Sequence, residues 1–192
     1  MTSKQERTTR ETAITLSLDL AQAPEPEVDT GLPFLDHMLG AMSFHGGLGL
    51  KLSARGDLEV DAHHTVEDIG IVLGDALREI RDANPTVRRF GHAAVPMDDA
   101  LAEVTVDFGG RGYLVYHITF PQAYAGTFQL ALLREFFHGL STHGLCNLHL
   151  NGRYGENGHH LAEAAFKALG LAVQSAFAPG PYRSKASTKG SL

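Results

Sequence analysis

His63-His64-Thr65-Val66-Glu67 and His159-His160-Leu161-Ala162-Glu163 are two copies of one His-His-x-x-Glu pattern in a chain of 192 residues. With eleven His and eleven Glu in the chain, chance supplies about 0.03 matches, so a second copy points to duplication rather than to composition. The residues upstream agree. Writing His37-Met38-Leu39 over Glu135-Phe136-Phe137 puts His45-Gly46 over His143-Gly144, eight residues later in both places. The next His-His-x-x-Glu then starts 26 residues after His37 and 24 after Glu135. Two similar halves are therefore expected, 1–90 and 91–178, with a tail over 179–192.

Apolar spacing fills in each half. Ile14, Leu16, Leu18 and Leu20 alternate as a strand, Pro24-Glu25-Pro26 turns the chain, and Pro33 opens a helix carrying Phe34, Leu35, Met38, Leu39 and Met42 until Gly46-Gly47. Leu48, Leu50 and Leu52 form another strand. Val66, Ile69, Leu73, Leu77 and Ile80 then keep helical spacing up to Asn84-Pro85. The second half repeats the order: strands over Leu101–Phe108 and Tyr113–Phe120, a helix over Phe128–Thr142, a strand over Leu145–Leu150 and a helix over His159–Phe177. The segment Met1–Arg10 is polar, and the tail from Pro179 reads as irregular.

Bulk properties exclude several classes. A formal charge of -6 leaves no basic excess to neutralise a nucleic acid backbone. No apolar run reaches the roughly 18 residues of a membrane span, and Met1–Arg10 lacks the apolar stretch of a secretory signal, so a cytoplasmic protein is expected. Cys146 is the single cysteine, which rules out an intramolecular disulfide and a Cys-based zinc motif and is read as a core residue.

The chemistry lies in the histidine pairs. In the first turn of a helix, each glutamate sits three and four residues from the two rings of its motif and can neighbour either. Adjacent rings diverge by about 100° around a helix, so the two histidines of a pair are expected to serve different metal ions. Imidazole nitrogen mixed with carboxylate oxygen suits Mn²⁺, Fe²⁺ or Zn²⁺ better than Ca²⁺, and oxygen-rich six-coordination favours Mn²⁺. The repeat adds His37 and Glu135 as further ligand candidates, whereas His45, His138, His143 and His149 read as helix ends or strand residues. A metal-storage protein and a dinuclear hydrolase are the rival readings. Neither a phosphate-binding GxxxxGK[ST] loop nor a GxSxG elbow is present.

Phe34-Leu35-Asp36-His37-Met38-Leu39, His63-His64-Thr65-Val66-Glu67-Asp68, Arg89-Phe90-Gly91, Pro96-Met97-Asp98-Asp99-Ala100, Gly110-Arg111 and Gly155-Glu156-Asn157-Gly158-His159-His160 together resemble the imidazoleglycerol-phosphate dehydratases, hydro-lyases of histidine biosynthesis. Glu163, Phe166 and Lys167 continue the match, which runs from about Arg10 to Gly190. The resemblance implies an α+β fold of two similar halves, each a four-stranded sheet with two helices packed on one face. It also implies two Mn²⁺ per active site, with Fe²⁺ or Zn²⁺ as alternatives, and a 24-subunit homo-oligomeric cage built from trimers with metals at subunit contacts.

By position, His37, His63, His64, Glu67, His159, His160 and Glu163 match the family's metal ligands, and Glu135 falls where some relatives carry His. Glu11 matches a substrate-contacting glutamate, Arg89, Arg111 and Ser187-Thr188-Lys189 match phosphate-binding positions, and Asp98 is a candidate for orienting the substrate. The chain has Ala186 and Gly112 where proline is usual. The implied substrate is a small phosphorylated imidazole with a diol. Bound to metal as imidazolate, it would expel the neighbouring hydroxyl to give a diazafulvene-like intermediate and then lose a carbon-bound proton. Glu163, Glu67 and Glu11, in that order, are the candidate proton carriers.

Overall fold

The computed structural model describes residues 1–22 and 24–181. The first half contains β1 (Thr2–Thr8), β2 (Thr12–Asp19), β3 (Glu27–Asp29), α1 (Pro33–Gly46), β4 (Gly49–Gly56) and α2 (His63–Ala83). The second contains β5 (Phe90–Met97), β6 (Ala100–Asp107), β7 (Tyr113–His117), a small hairpin of β8 (Tyr124–Ala125) and β9 (Phe128–Gln129), α3 (Leu133–His143), β10 (Asn147–Tyr154) and α4 (Gly158–Phe177). Strand order is β1-β2-β4-β3 in one four-stranded sheet and β5-β6-β10-β7 in the other, with β3 and β7 each parallel to their neighbour. The two sheets thus share one topology, as expected of a duplication.

Each sheet turns one face inward. Ile14, Leu16 and Leu18 of β2 and Leu50, Leu52 and Ala54 of β4 are buried, while Thr15, Ser17, Lys51 and Ser53 between them face out. Helices cover that inner face, α2 lying over β1 and β2 and α4 over β5 and β6. The helices then pair across the halves, α1 with α4 and α2 with α3. A sheet, a helical layer and a second sheet enclose one apolar core, in which Leu18, Met42, Leu73, Leu140 and Leu169 meet from β2 and all four helices.

Glycines set the two helix crossings. A methyl on Gly46 would come within 2.7 Å of the Gly170 carbonyl group, and one on Gly74 within 2.7 Å of the Gly144 amide nitrogen. Gly74 and Gly170 each lie seven residues beyond the glutamate of their His-His-x-x-Glu motif. The duplication therefore extends to the crossing points, where backbone meets backbone.

Three expectations need correction. The helix expected over Phe128–Thr142 starts at Leu133, because Phe128-Gln129 pairs with Tyr124-Ala125 and a short 3-10 turn, Leu130–Leu132, intervenes. The strand expected over Tyr113–Phe120 ends at His117. Met1–Arg10, read only as polar, supplies β1, whose inner face meets α2 through polar groups: Ser3 Oγ and Gln5 Nε2 donate to Glu79 at 2.5 and 2.6 Å, and Arg7 pairs with Asp68 at 2.9 Å. Strand β5 escaped notice for a related reason. Its inward residues start with Gly91, where a side chain would overlap the Ala172 carbonyl of α4.

Candidate metal centre

Both histidine pairs sit at helix starts, that of α4 capped by Asn157 and that of α2 following Ala62, which offers no side-chain cap. Asp61 Oδ1 accepts the His63 amide at 2.5 Å and Asn157 Oδ1 accepts the His159 amide at 2.9 Å, so an Asx residue two positions earlier holds each pair in the first turn. The i, i+4 geometry then acts locally. His63 Nε2 lies 3.7 Å from Glu67 Oε2, and His159 Nε2 lies 3.2 Å from Glu163 Oε2.

The α1/α4 crossing adds a third group. His37 Nε2 is 3.3 Å from Glu163 Oε2, and ligand atoms of His37, His159 and Glu163 all lie within 4.8 Å of one another. Two imidazoles and one carboxylate on a packed helix pair make a donor set that could hold a divalent metal ion. Lys167, one turn further along α4, donates to the other oxygen of Glu163 at 2.7 Å. Burial raises the pKa of Glu163, but the Lys167 ammonium and then His37 outweigh it and hold the carboxyl below its ordinary value. The other half lacks this cation, since the residue four beyond Glu67 is Ile71.

The second histidine of each pair turns elsewhere. His64 Nδ1 is 3.0 Å from Asp57 Oδ2, with Nε2 3.9 Å from Glu11 Oε1. His160 Nδ1 is 2.5 Å from Asp99 Oδ1, with Nε2 3.7 Å from Asp98 Oδ2. Hydrogen bonding to Asp57 and to Asp99 raises the pKa of His64 and of His160, and the contact with His160 holds Asp99 well below the usual carboxylate range. Asp57 and Asp99 were not among the candidates read from the sequence. Asp99 stood one residue from Asp98 in the quoted motif, and only the fold shows that it faces His160.

Glu135 lies on α3, one turn before Gly139, which packs against the Glu67 carbonyl and the Ile71 amide of α2. That register carries Glu135 toward the start of α2, as His37 lies toward the start of α4. Its carboxylate takes a 3.4 Å hydrogen bond from Arg134, and among the described residues it forms no three-residue donor cluster with His63 and Glu67. A groove of about 540 Å³ is lined by Phe34, His37, Asp61, Ala62 and His159 together with the β8–β9 hairpin. A depression of about 590 Å³ on the outer face of the first sheet is lined by Thr15, Ser17, Lys51 and Ser53 and contains no histidine.

The remaining candidates lie apart from the cluster. Arg89 is next to the C-terminal end of α4, its amide bonded to the Ala176 carbonyl and its guanidinium Nε and Nη2 donating to Asp107 at 2.5 and 2.9 Å. Arg111 is in the neighbouring β6–β7 connection, where its carbonyl accepts from Asn147. From His159 to Ala176 the axis of α4 spans about 25 Å, so one chain does not bring the arginines to its own His37, His159 and Glu163. Ser187, Thr188 and Lys189 lie outside the described residues.

No helix among the described residues is long and apolar enough to cross a membrane. A family model described as imidazoleglycerol-phosphate dehydratase matches residues 30–173. The imidazoleglycerol-phosphate dehydratase of Geobacter metallireducens is 48% identical over 97% of this chain and 96% of its own length, and that of Thioalkalivibrio sulfidiphilus is 47% identical over 97% and 95%. The crystal structure of the Staphylococcus aureus enzyme superposes with a TM-score of 0.84 at 35% identity, covering 93% of this chain and 99% of that one. The IGPD of Pyrococcus furiosus, in complex with (S)-C348, gives 0.83 at 39% identity, covering 98% and 100%. The repeated motif, the matched sheet topologies and these likenesses agree: the chain belongs to the imidazoleglycerol-phosphate dehydratase family.

Proposed function

We propose that this protein is a hydro-lyase of histidine biosynthesis in the cytoplasm, dehydrating D-erythro-imidazole glycerol phosphate to imidazole-acetol phosphate on a dinuclear manganese site. The observation that carries the metal-dependent chemistry is the meeting of His37, His159 and Glu163 across the α1/α4 crossing. In this reading His37, His159 and Glu163 serve one ion, and His63, His64, Glu67, Glu135 and His160 are further ligands, the two histidines of each pair serving different ions. Bound Mn²⁺ would supply Lewis acidity that stabilises the substrate's imidazole as imidazolate.

The chain's own carboxylates divide the remaining work. Glu163, the first candidate proton carrier, has one oxygen on Lys167 and the other between two imidazoles. Glu67 and Glu11 are the next candidates, with carboxylates more accessible to a proton at 36% and 54% side-chain exposure. Asp98, beside His160 on an exposed turn, would orient the substrate. Arg89, Arg111 and the tail residues Ser187, Thr188 and Lys189 would receive the phosphate, for which guanidinium forks are suited.

Because the arginines and the His37 cluster stand at opposite ends of α4, a complete site draws on more than one copy of the chain. That requirement supports a homo-oligomer, for which the proposed assembly is a 24-subunit cage of trimers. The decisive assay is Mn²⁺-dependent formation of imidazole-acetol phosphate by the purified protein, with His64→Ala and Glu163→Ala alongside. Loss of product in both variants and after chelation is the expected result, and metal-loaded wild-type protein without turnover would sink the reading.

A further inference from the structure

A metal-bound histidine must be neutral and must offer a lone pair at the coordinating nitrogen. In each pair the second ring reaches away from the cluster on its own helix, and a carboxylate holds its Nδ1. Asp57 is 3.0 and 3.2 Å from His64 Nδ1, and Asp99 is 2.5 Å from His160 Nδ1. A carboxylate there makes Nδ1 the N–H donor and leaves the lone pair on Nε2. Both Nε2 atoms face exposed turns, that of His64 toward Glu11 and that of His160 toward Asp98.

We infer that Asp57 and Asp99 are positioning residues of the metal centre: each fixes the tautomer and the angle of one histidine so that its Nε2 is presented as a ligand. This rests on the metalloenzyme reading above. The duplication alone does not produce the arrangement. Asp57 lies between β4 and α2, whereas Asp99 lies in the β5–β6 turn, whose counterpart in the first half is the β1–β2 turn carrying Glu11. The same ring contact is thus reached from two non-equivalent places. Asp99 is itself held, its Oδ2 accepting the amides of Glu156 and Asn157 at 2.6 and 2.9 Å while Oδ1 faces His160. The aim of the His160 ring is therefore tied to the chain that leads into α4. Without either carboxylate, the neutral ring divides between two tautomers and two ring orientations, only some of which coordinate.

The test compares Mn²⁺ affinity, read by electron paramagnetic resonance of the free ion, in wild-type protein, Asp57→Asn, Asp99→Asn, Asp57→Glu, His64→Ala and His160→Ala. An asparagine amide can donate to Nδ1 and leave the proton on Nε2, the wrong tautomer. Each Asn variant should weaken binding of one ion by about 10- to 100-fold, the usual effect of removing such a partner. Asp57→Glu should recover part of the loss. The spectrum of the bound ion should change in both Asn variants, and metal-free Asp57→Asn should melt close to wild type, because among the described residues no backbone hydrogen bond to the Asp57 side chain accompanies its contact with His64. Wild-type affinity in both Asn variants, with or without a lowered melting point, overturns the positioning role. Wild-type affinity in the two His variants as well overturns the metal reading beneath it, and this inference with it.

Discussion

Gly170→Ala places one methyl at the closest approach of α1 and α4. Built on the present backbone, that methyl overlaps the Met42 carbonyl oxygen and lies 3.1 Å from the Met42 carbonyl carbon and the Gly46 amide nitrogen. All three are backbone atoms, so no rotamer change relieves the contact and the helices must part by on the order of 1 Å. Overpacking of this kind costs about 1–3 kcal/mol, and the absence of any rotatable neighbour puts it near the upper end. Exchanging glycine for alanine in a helix returns about 1 kcal/mol. The net loss of about 1–2 kcal/mol lowers the thermal midpoint by roughly 2–8 °C for a chain of this size. The same displacement withdraws His37 on α1 from His159 and Glu163 on α4, so Mn²⁺ affinity falls too. Gly40→Ala is the control, since a methyl there meets nothing within 4 Å, and it should stabilise by about 0.5–1 kcal/mol with metal binding unchanged. Scanning calorimetry of the metal-free protein and a Mn²⁺ titration read both quantities. The reasoning is refuted if Gly170→Ala behaves like Gly40→Ala in the two measurements.

Four further outcomes are expected. His64 and His160 keep their protons to higher pH than the ordinary 6.5, so Mn²⁺ must displace them; affinity should rise with pH from about 6 through the raised values, and a flat profile between pH 6 and 8 would count against the ion pairs. In the metal-free protein the sign reverses for stability, the two imidazolium contacts contributing fully below 6.5 and fading as pH rises through the raised values. Lys167→Met leaves the Glu163 carboxylate without its cation, which should destabilise metal-free protein at pH 7 by on the order of 2 kcal/mol, less than the 3–5 of a fully enclosed pair, and shrink the loss of stability on acidification below 4.5; an unchanged melting profile would show that the ion pair contributes little. Burial pushes the Cys146 thiol up to about 12, so a thiol reagent at pH 8 should label the protein only after denaturation, and rapid labelling of the native state would contradict its placement.

Much of the fold was legible because it is written in periodicity. The alternation of β2 and the apolar stripes of α1, α2 and α4 carry their own burial pattern, and the repeated motif revealed the duplication. What escaped lacked an apolar signal. The inward face of β1 meets α2 through Ser3, Gln5 and Arg7, and β5 needs glycine at position 91 to let α4 approach, so neither strand advertises itself. The β8–β9 hairpin broke a stretch that spacing alone read as helix.

The candidate site divides along the same line. The sequence by itself determined which side chains lie one helical turn apart, His63 with Glu67 and His159 with Glu163, because helix geometry is local and identical wherever it occurs. Tertiary structure decided everything that joins distant segments. It paired α1 with α4 rather than with α2, which brings His37 to Glu163; it set Asp57 and Asp99 against the second histidines; and it sent Arg89 and Arg111 to the far end of α4. The pairing is governed by close backbone contact at Gly46, Gly170, Gly74 and Gly144, and a residue without a side chain leaves no pattern by which its distant partner can be read.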